Sequence, residues 1–156
     1  MIQSVNPTPT DETDGLPMPR RIWAVISVGF ALCMSVLDVN IINIVLPTLS
    51  HDFGTSPAVT TWIINGYQLA IVVSLLSFSA LGEIIGYRKV YLSGIGLFCI
   101  TSLICALSDS FWTLTIARIF QGFSASAITS VNTAQLRYIY PKSQLGRGMG
   151  INAMVV

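Results

Sequence analysis

Charge is what this chain has least of. Only 10% of its 156 residues are Asp, Glu, Lys or Arg, while 53% are hydrophobic. Soluble domains carry about 25% charged residues. That shortfall, with a mean hydropathy of +0.70, excludes an ordinary soluble domain and places the chain in a membrane. Metal-binding residues are also few, with one histidine and three cysteines. Cys33, Cys99 and Cys105 lie in apolar runs at spacings that fit no zinc site, so they read as small buried hydrophobes. No Ser/His/Asp set is present. The glycine-rich GRGMG at 146–150 follows a helix-ending loop rather than a strand, which makes a nucleotide site a poor reading. An enzyme, a nucleic-acid partner and a bound cofactor are therefore not expected.

What the chain does have is long apolar runs. After a polar, Pro- and Thr-rich stretch over 1–20 that cannot bury a core, runs at about 22–46, 61–81, 90–107 and 112–136 each approach or exceed the roughly 20 residues needed to cross a bilayer. A fifth run begins at about 148. The first run is too long for the apolar core of a signal peptide and meets Pro47 rather than a cleavage pattern, so it reads as a retained span. The predicted fold class is an all-α polytopic membrane protein with four spans and the start of a fifth, the partial domain covering 21–156.

A second absence sets the orientation. The connections around 47–60 and 108–111 contain no Lys or Arg. Seven of the eight basic residues (Arg20, Arg21, Arg88, Lys89, Arg137, Lys142 and Arg147) fall on the opposite side. The positive-inside rule makes that side, and the N-terminus, cytoplasmic. His51 and Asp52 then read as members of a solvated outer loop. Trp62, Tyr67, Tyr138 and Tyr140 read as interface anchors near span ends.

The eighth basic residue, Arg118, is inside the fourth run, and Asp38 interrupts the first. A charge in hydrocarbon costs about 2.5–3.5 kcal/mol on the mildest insertion scale. Counted from the outer ends of their runs, both lie roughly 9–12 Å deep at 1.5 Å per residue, so each is the expected partner of the other. The pair reads equally as a static packing contact or as a working element, because buried pairs are weak evidence for more than their own partnership. Along the fourth run Arg118, Gln121, Ala125, Thr129 and Asn132 recur at helical steps, with Ser124, Ser126, Ser130 and Gln135 adding polarity elsewhere. Such a helix faces protein or water rather than lipid. On the first run Ala24, Ser27, Ala31, Ser35 and Asp38 share one face, with Asn40 and Asn43 on the other, and the pattern leaves open which face lines a cavity.

Four stretches resemble motifs of the major facilitator superfamily, in particular its fourteen-span drug:proton antiporter branch. LDVNIINIVLP at 37–47 is similar to the first-span signature, with Leu37, Asp38, Asn43, Leu46 and Pro47 in place, Asn40 for the usual Thr and Val45 for the usual Ala. WIINGYQLA at 62–70 resembles the opening of the second span. LGEIIGYRKVYL at 81–92 resembles the loop between second and third spans: Leu81, Gly86, Arg88 and Lys89 match, Glu83 stands for an Asp, and Ser79, Ile84 and Tyr87 depart from the pattern. RIFQGFSASA at 118–127 resembles the fourth-span motif in Arg118, Gln121 and Gly122, with Ser124 and Ser126 at positions usually held by Gly and Ala.

The resemblance implies the N-terminal part of a six-helix bundle working by alternating access, with the first and fourth spans as counterparts in inverted repeats. It implies multidrug efflux of amphipathic or cationic drug-like molecules driven by a proton gradient, with Asp38 and Arg118 coupling the proton. It also implies a conformational latch at Glu83, Gly86, Arg88 and Lys89, where the two cations compensate an acid at the negative end of a helix dipole. The expected surroundings are the lipid bilayer of a bacterial inner membrane and a C-terminal part of the transporter beyond Val156; without that part the chain is not expected to transport. A metabolite or sugar porter of the same superfamily and a non-transporting truncated fragment are the alternatives.

Overall fold

A computed structural model describes residues 17–140, 144–146 and 149–150. The expected tail over 1–16 and nearly all of the expected fifth span lie outside the described residues. Four helices account for almost everything described: α1 (Met18–Asp52), α2 (Pro57–Ile85), α3 (Tyr87–Ala106) and α4 (Phe111–Ile139). Short connections force consecutive helices to run antiparallel. The ends are tied accordingly. Tyr91 Oη donates to the Ser27 carbonyl at 3.1 Å near the starts of α1 and α3. The Phe53 and Phe111 rings meet edge-on at 6.4 Å at the opposite end.

Local chemistry sets the helix ends. Pro57 occupies the first turn of α2, and Ser56 Oγ accepts from the Val59 amide at 3.4 Å, satisfying one of the orphan donors of a helix start. A single residue, Gly86, both ends α2 and starts α3, at φ +99°. Only glycine adopts that conformation without strain.

The first span runs further than the sequence suggests. α1 continues through Pro47 to Asp52, so His51 and Asp52 belong to its last turn rather than to a loop. Proline is tolerated because bundle helices can re-satisfy the backbone groups it frees. The group it frees is the Asn43 carbonyl, four residues earlier; Ser50 Oγ donates to the Pro47 carbonyl at 2.9 Å.

α4 is the centre of the bundle, packing along both α2 and α3, while α1 packs more lightly against α2 and α4. Val28, Leu32, Tyr67, Phe98, Ile128 and Val131 lie in its main buried cluster. Three described helices are long and apolar enough by themselves to cross a membrane: Pro19–Asp52, Pro57–Ile85 and Tyr87–Ala106. α4 is as long as α2 but carries the polar residues, and its burial among the other three explains how they are accommodated. Ser124 and Ser126 are fully buried, with Oγ atoms donating to the Gln121 carbonyl at 2.6 Å and to the Ile71 carbonyl at 3.3 Å. The outward faces of α1 and α2 carry Phe30, Ile44, Val72, Leu76 and Ile84, and that of α3 carries Ile100 and Leu103, all exposed, as lipid-facing surfaces require. Cys33 and Cys99, expected to be buried, lie on these outward faces; for a small apolar side chain, lipid replaces a protein core at little cost.

Candidate functional site

Asp38 and Arg118 meet between α1 and α4. Arg118 Nη1 donates to Asp38 Oδ2 at 2.6 Å, and both side chains are largely buried. With α1 extended, Asp38 lies about 21 Å from the end of its helix at 1.5 Å per residue. The two meet because α1 overshoots the start of α4.

Gln121 completes the cluster. Its Nε2 donates to the second carboxylate oxygen, Asp38 Oδ1, at 3.1 Å, while its Oε1 accepts from Cys105 Sγ at 3.5 Å. Arg118 and Gln121 are three residues apart on α4, the spacing that puts two side chains on one helix face. Gln121→Leu is expected to leave one carboxylate oxygen unsatisfied and to cost about 1–3 kcal/mol. Denaturant titration of the micelle-embedded chain measures this; an unchanged midpoint would remove Gln121 from the cluster's energetics.

Two residues of the site were not anticipated. Tyr67 is buried in the interior of α2, with the Arg118 guanidinium carbon 5.9 Å from its ring centroid, at the edge of cation–π range. It is not an interface anchor. Its apparent closeness to a span end came from starting α2 at Thr61 rather than Pro57. Cys105 joins from α3, and only the return of the chain through the turn before α4 brings it beside Gln121. The Nε of Arg118 is buried without a hydrogen-bond partner among the described residues.

Gly122 is what lets α2 reach this site. A Cβ there would stand 2.5 Å from the Tyr67 carbonyl oxygen and 2.9 Å from Ala70 Cβ. On α1, Ser35 is buried while Asn40 and Asn43 are exposed. The Ser35–Asp38 face therefore turns toward the other helices. Asn40 and Asn43 fold their amides back onto the Val36 and Val39 carbonyls at 2.8 and 3.0 Å. Leu37 is exposed beside them.

The loop residues do not assemble as anticipated. Glu83, Arg88 and Lys89 are all exposed, and among the described residues Glu83 makes no ion pair within 4.0 Å. The one-residue turn at Gly86 puts Arg88 and Lys89 directly into the first turn of α3, so neither folds back onto the end of α2.

Among the described residues, long helices with lipid-facing surfaces around an enclosed charged pair define a multi-pass membrane protein. The family model described as Major Facilitator Superfamily matches residues 28–156, and the chain belongs to that family. It is 51% identical over 148 residues to the Escherichia coli (strain K12) protein called "Uncharacterized transporter YebQ", covering 95% of this chain and 32% of that protein. It is 32% identical over 127 residues to the Mycobacterium tuberculosis (strain ATCC 25618 / H37Rv) "Drug efflux pump JefA", covering 81% of the chain and 25% of the pump. It is also 32% identical over 138 residues to the Clostridioides difficile (strain 630) "Riboflavin transporter RibZ", covering 88% and 30% respectively. The chain thus spans about a third or less of these curated relatives. Family and relatives are those of transporters, not enzymes.

Proposed function

We propose that this chain forms the N-terminal part of a transporter that exports amphipathic or cationic drug-like molecules in exchange for protons across a bacterial inner membrane, with its N-terminus in the cytoplasm. The observation that carries the reading is the Asp38–Arg118 pair at 2.6 Å between α1 and α4. These are the counterpart helices of the two inverted repeats nested in one half of the transporter, and their packing changes as the halves rock against one another during alternating access. A carboxyl whose cationic partner moves away changes its affinity for a proton. Helix movement and proton uptake are coupled by that one contact. The unpartnered Nε of Arg118 supplies a donor for water or an incoming group when the helices separate. Drug efflux among the relatives supports the substrate class.

Asp38→Asn in the full-length transporter keeps the shape of the side chain and removes the titration. Proton-coupled efflux of a cationic dye from proteoliposomes is expected to fall to the protein-free leak. If efflux and its response to an imposed pH gradient both persist, the proton pathway lies elsewhere. A second reading, transport of a metabolite, is favoured by the similarity to the riboflavin transporter. The same vesicles distinguish the two by which substrate, cationic dye or metabolite, a proton gradient drives.

A further inference from the structure

The charged site has an arm that the Asp38–Arg118 pair does not use. Gln121 is fully buried, so both ends of its amide need partners inside the protein. Its Nε2 donates to Asp38 Oδ1 at 3.1 Å, and its Oε1 accepts from Cys105 Sγ at 3.5 Å. Cys105 packs against the apolar cluster of Ile42, Ile63 and Leu114, whose side chains offer Oε1 no donor. This line of contacts crosses the bundle from α1 through α4 to α3 rather than running along an outward face.

An ionised carboxylate only accepts, so it requires Nε2 of the amide and leaves Oε1 to the thiol. Arg118 Nη1 holds Oδ2 at 2.6 Å, which leaves Oδ1 for a proton arriving from the aqueous side. Once protonated, Oδ1 donates, and Gln121 Oε1 reaches it when the amide turns over about its last torsion. The turned amide points Nε2 at Cys105 Sγ. A thiol both donates and accepts, weakly in each sense, so it suits either orientation. An alkyl side chain suits neither, and a carbonyl suits only the turned one. We propose that Cys105 is a positioning residue for the proton site, acting through Gln121: its thiol holds the amide on the ionised Asp38 and lets the amide invert when the carboxyl takes up a proton. This rests on Asp38 being the proton carrier. Among the described residues, the charged and titratable groups around that carboxyl are Tyr67 from α2, Cys105 from α3 and Arg118 from α4.

Infrared difference spectroscopy of the full-length transporter, with every cysteine except Cys105 replaced by alanine, tests this, because the S–H stretch of one thiol stands clear of other protein bands. Cys33 and Cys99 are exposed and take no part in the site. Acidification through the Asp38 titration is read as the carboxyl C=O band that Asp38→Asn removes. Over the same range the S–H frequency is expected to rise, as it does when a thiol stops donating. In Asp38→Asn and in Gln121→Leu the S–H band is expected to lose its pH dependence, and in Gln121→Leu to stay at the frequency of a thiol that does not donate. A carboxyl band that appears while the S–H band stays still would overturn the proposal and leave proton uptake at Asp38 standing. No such carboxyl band at any pH would remove Asp38 as the proton carrier, and the proposal with it. An S–H band that still follows pH in either variant would show the thiol answering to another group, and the proposal would fail. Far-UV circular dichroism verifies helicity; if Gln121→Leu loses it, the comparison with Asp38→Asn, which keeps the shape of the side chain, carries the same expectation.

Discussion

Arg118→Leu is expected to destabilise the folded bundle by about 3–5 kcal/mol, because it leaves the Asp38 carboxylate buried without its cation. Arg118 is 6% exposed, and its Nη1 sits 2.6 Å from Asp38 Oδ2. Water therefore replaces the lost partner poorly. Gln121 still donates to Oδ1, but one neutral amide does not offset an isolated charge. Asp38→Leu should cost comparably, since it orphans the guanidinium. The double variant Asp38→Leu/Arg118→Leu should recover most of the loss, because well-packed apolar residues often replace a buried ion pair without penalty. Denaturant titrations of the four chains in micelles form the double-mutant cycle. Simple addition of the two single costs would mean that the pair does not act as a unit. The Arg118→Leu deficit should also shrink in acid, where the orphaned carboxyl can take up a proton and become neutral.

That pair shows how far residues alone carry the argument. One acid and one base in separate apolar runs must find each other, because each is costly alone; the partnership needs no coordinates. The geometry was another matter. Proline reads as a helix end, and membrane helices break that rule because the one backbone group it frees can be satisfied by its surroundings. α1 accordingly passes Pro47, and Asp38 lies further from the end of its helix than the apolar run suggests. Tyr67 and Cys105 were hidden for a related reason. Their role depends on helix rotation and crossing, which periodicity within one helix does not encode. The polar face of α4 was legible as buried, but its partners were not, since Ser126 donates to the Ile71 carbonyl of α2. Glu83 shows the opposite failure. Opposite charges five residues apart look like partners on paper, and a one-residue glycine turn sends them onto different helices.

Gly122 is where the second large effect is expected, and the smallest substitution should reveal it. Alanine is a better helix former than glycine by about 1 kcal/mol, so Gly122→Ala would be stabilising if only α4 mattered. The added methyl would instead stand 2.5 Å from the Tyr67 carbonyl oxygen and 2.9 Å from Ala70 Cβ. Neither atom belongs to a flexible side chain, so α2 and α4 must separate. Overpacking of this kind costs about 1–3 kcal/mol, enough to cancel or outweigh the propensity gain. Gly96→Ala is the matched control: nothing lies within 4 Å of its added methyl, and it should gain stability by about 0.5–1 kcal/mol. The displacement at Gly122 has a second consequence. The carbonyl it strikes belongs to Tyr67, whose ring lies 5.9 Å from the Arg118 guanidinium, so moving α2 also moves one wall of the charged site. Gly122→Ala and Arg118→Leu should therefore be non-additive, whereas Gly96→Ala and Arg118→Leu should add. Equal midpoints for Gly122→Ala and Gly96→Ala in the same micelles would show that α2 and α4 are not held in contact at this glycine, and the role assigned to it would fail.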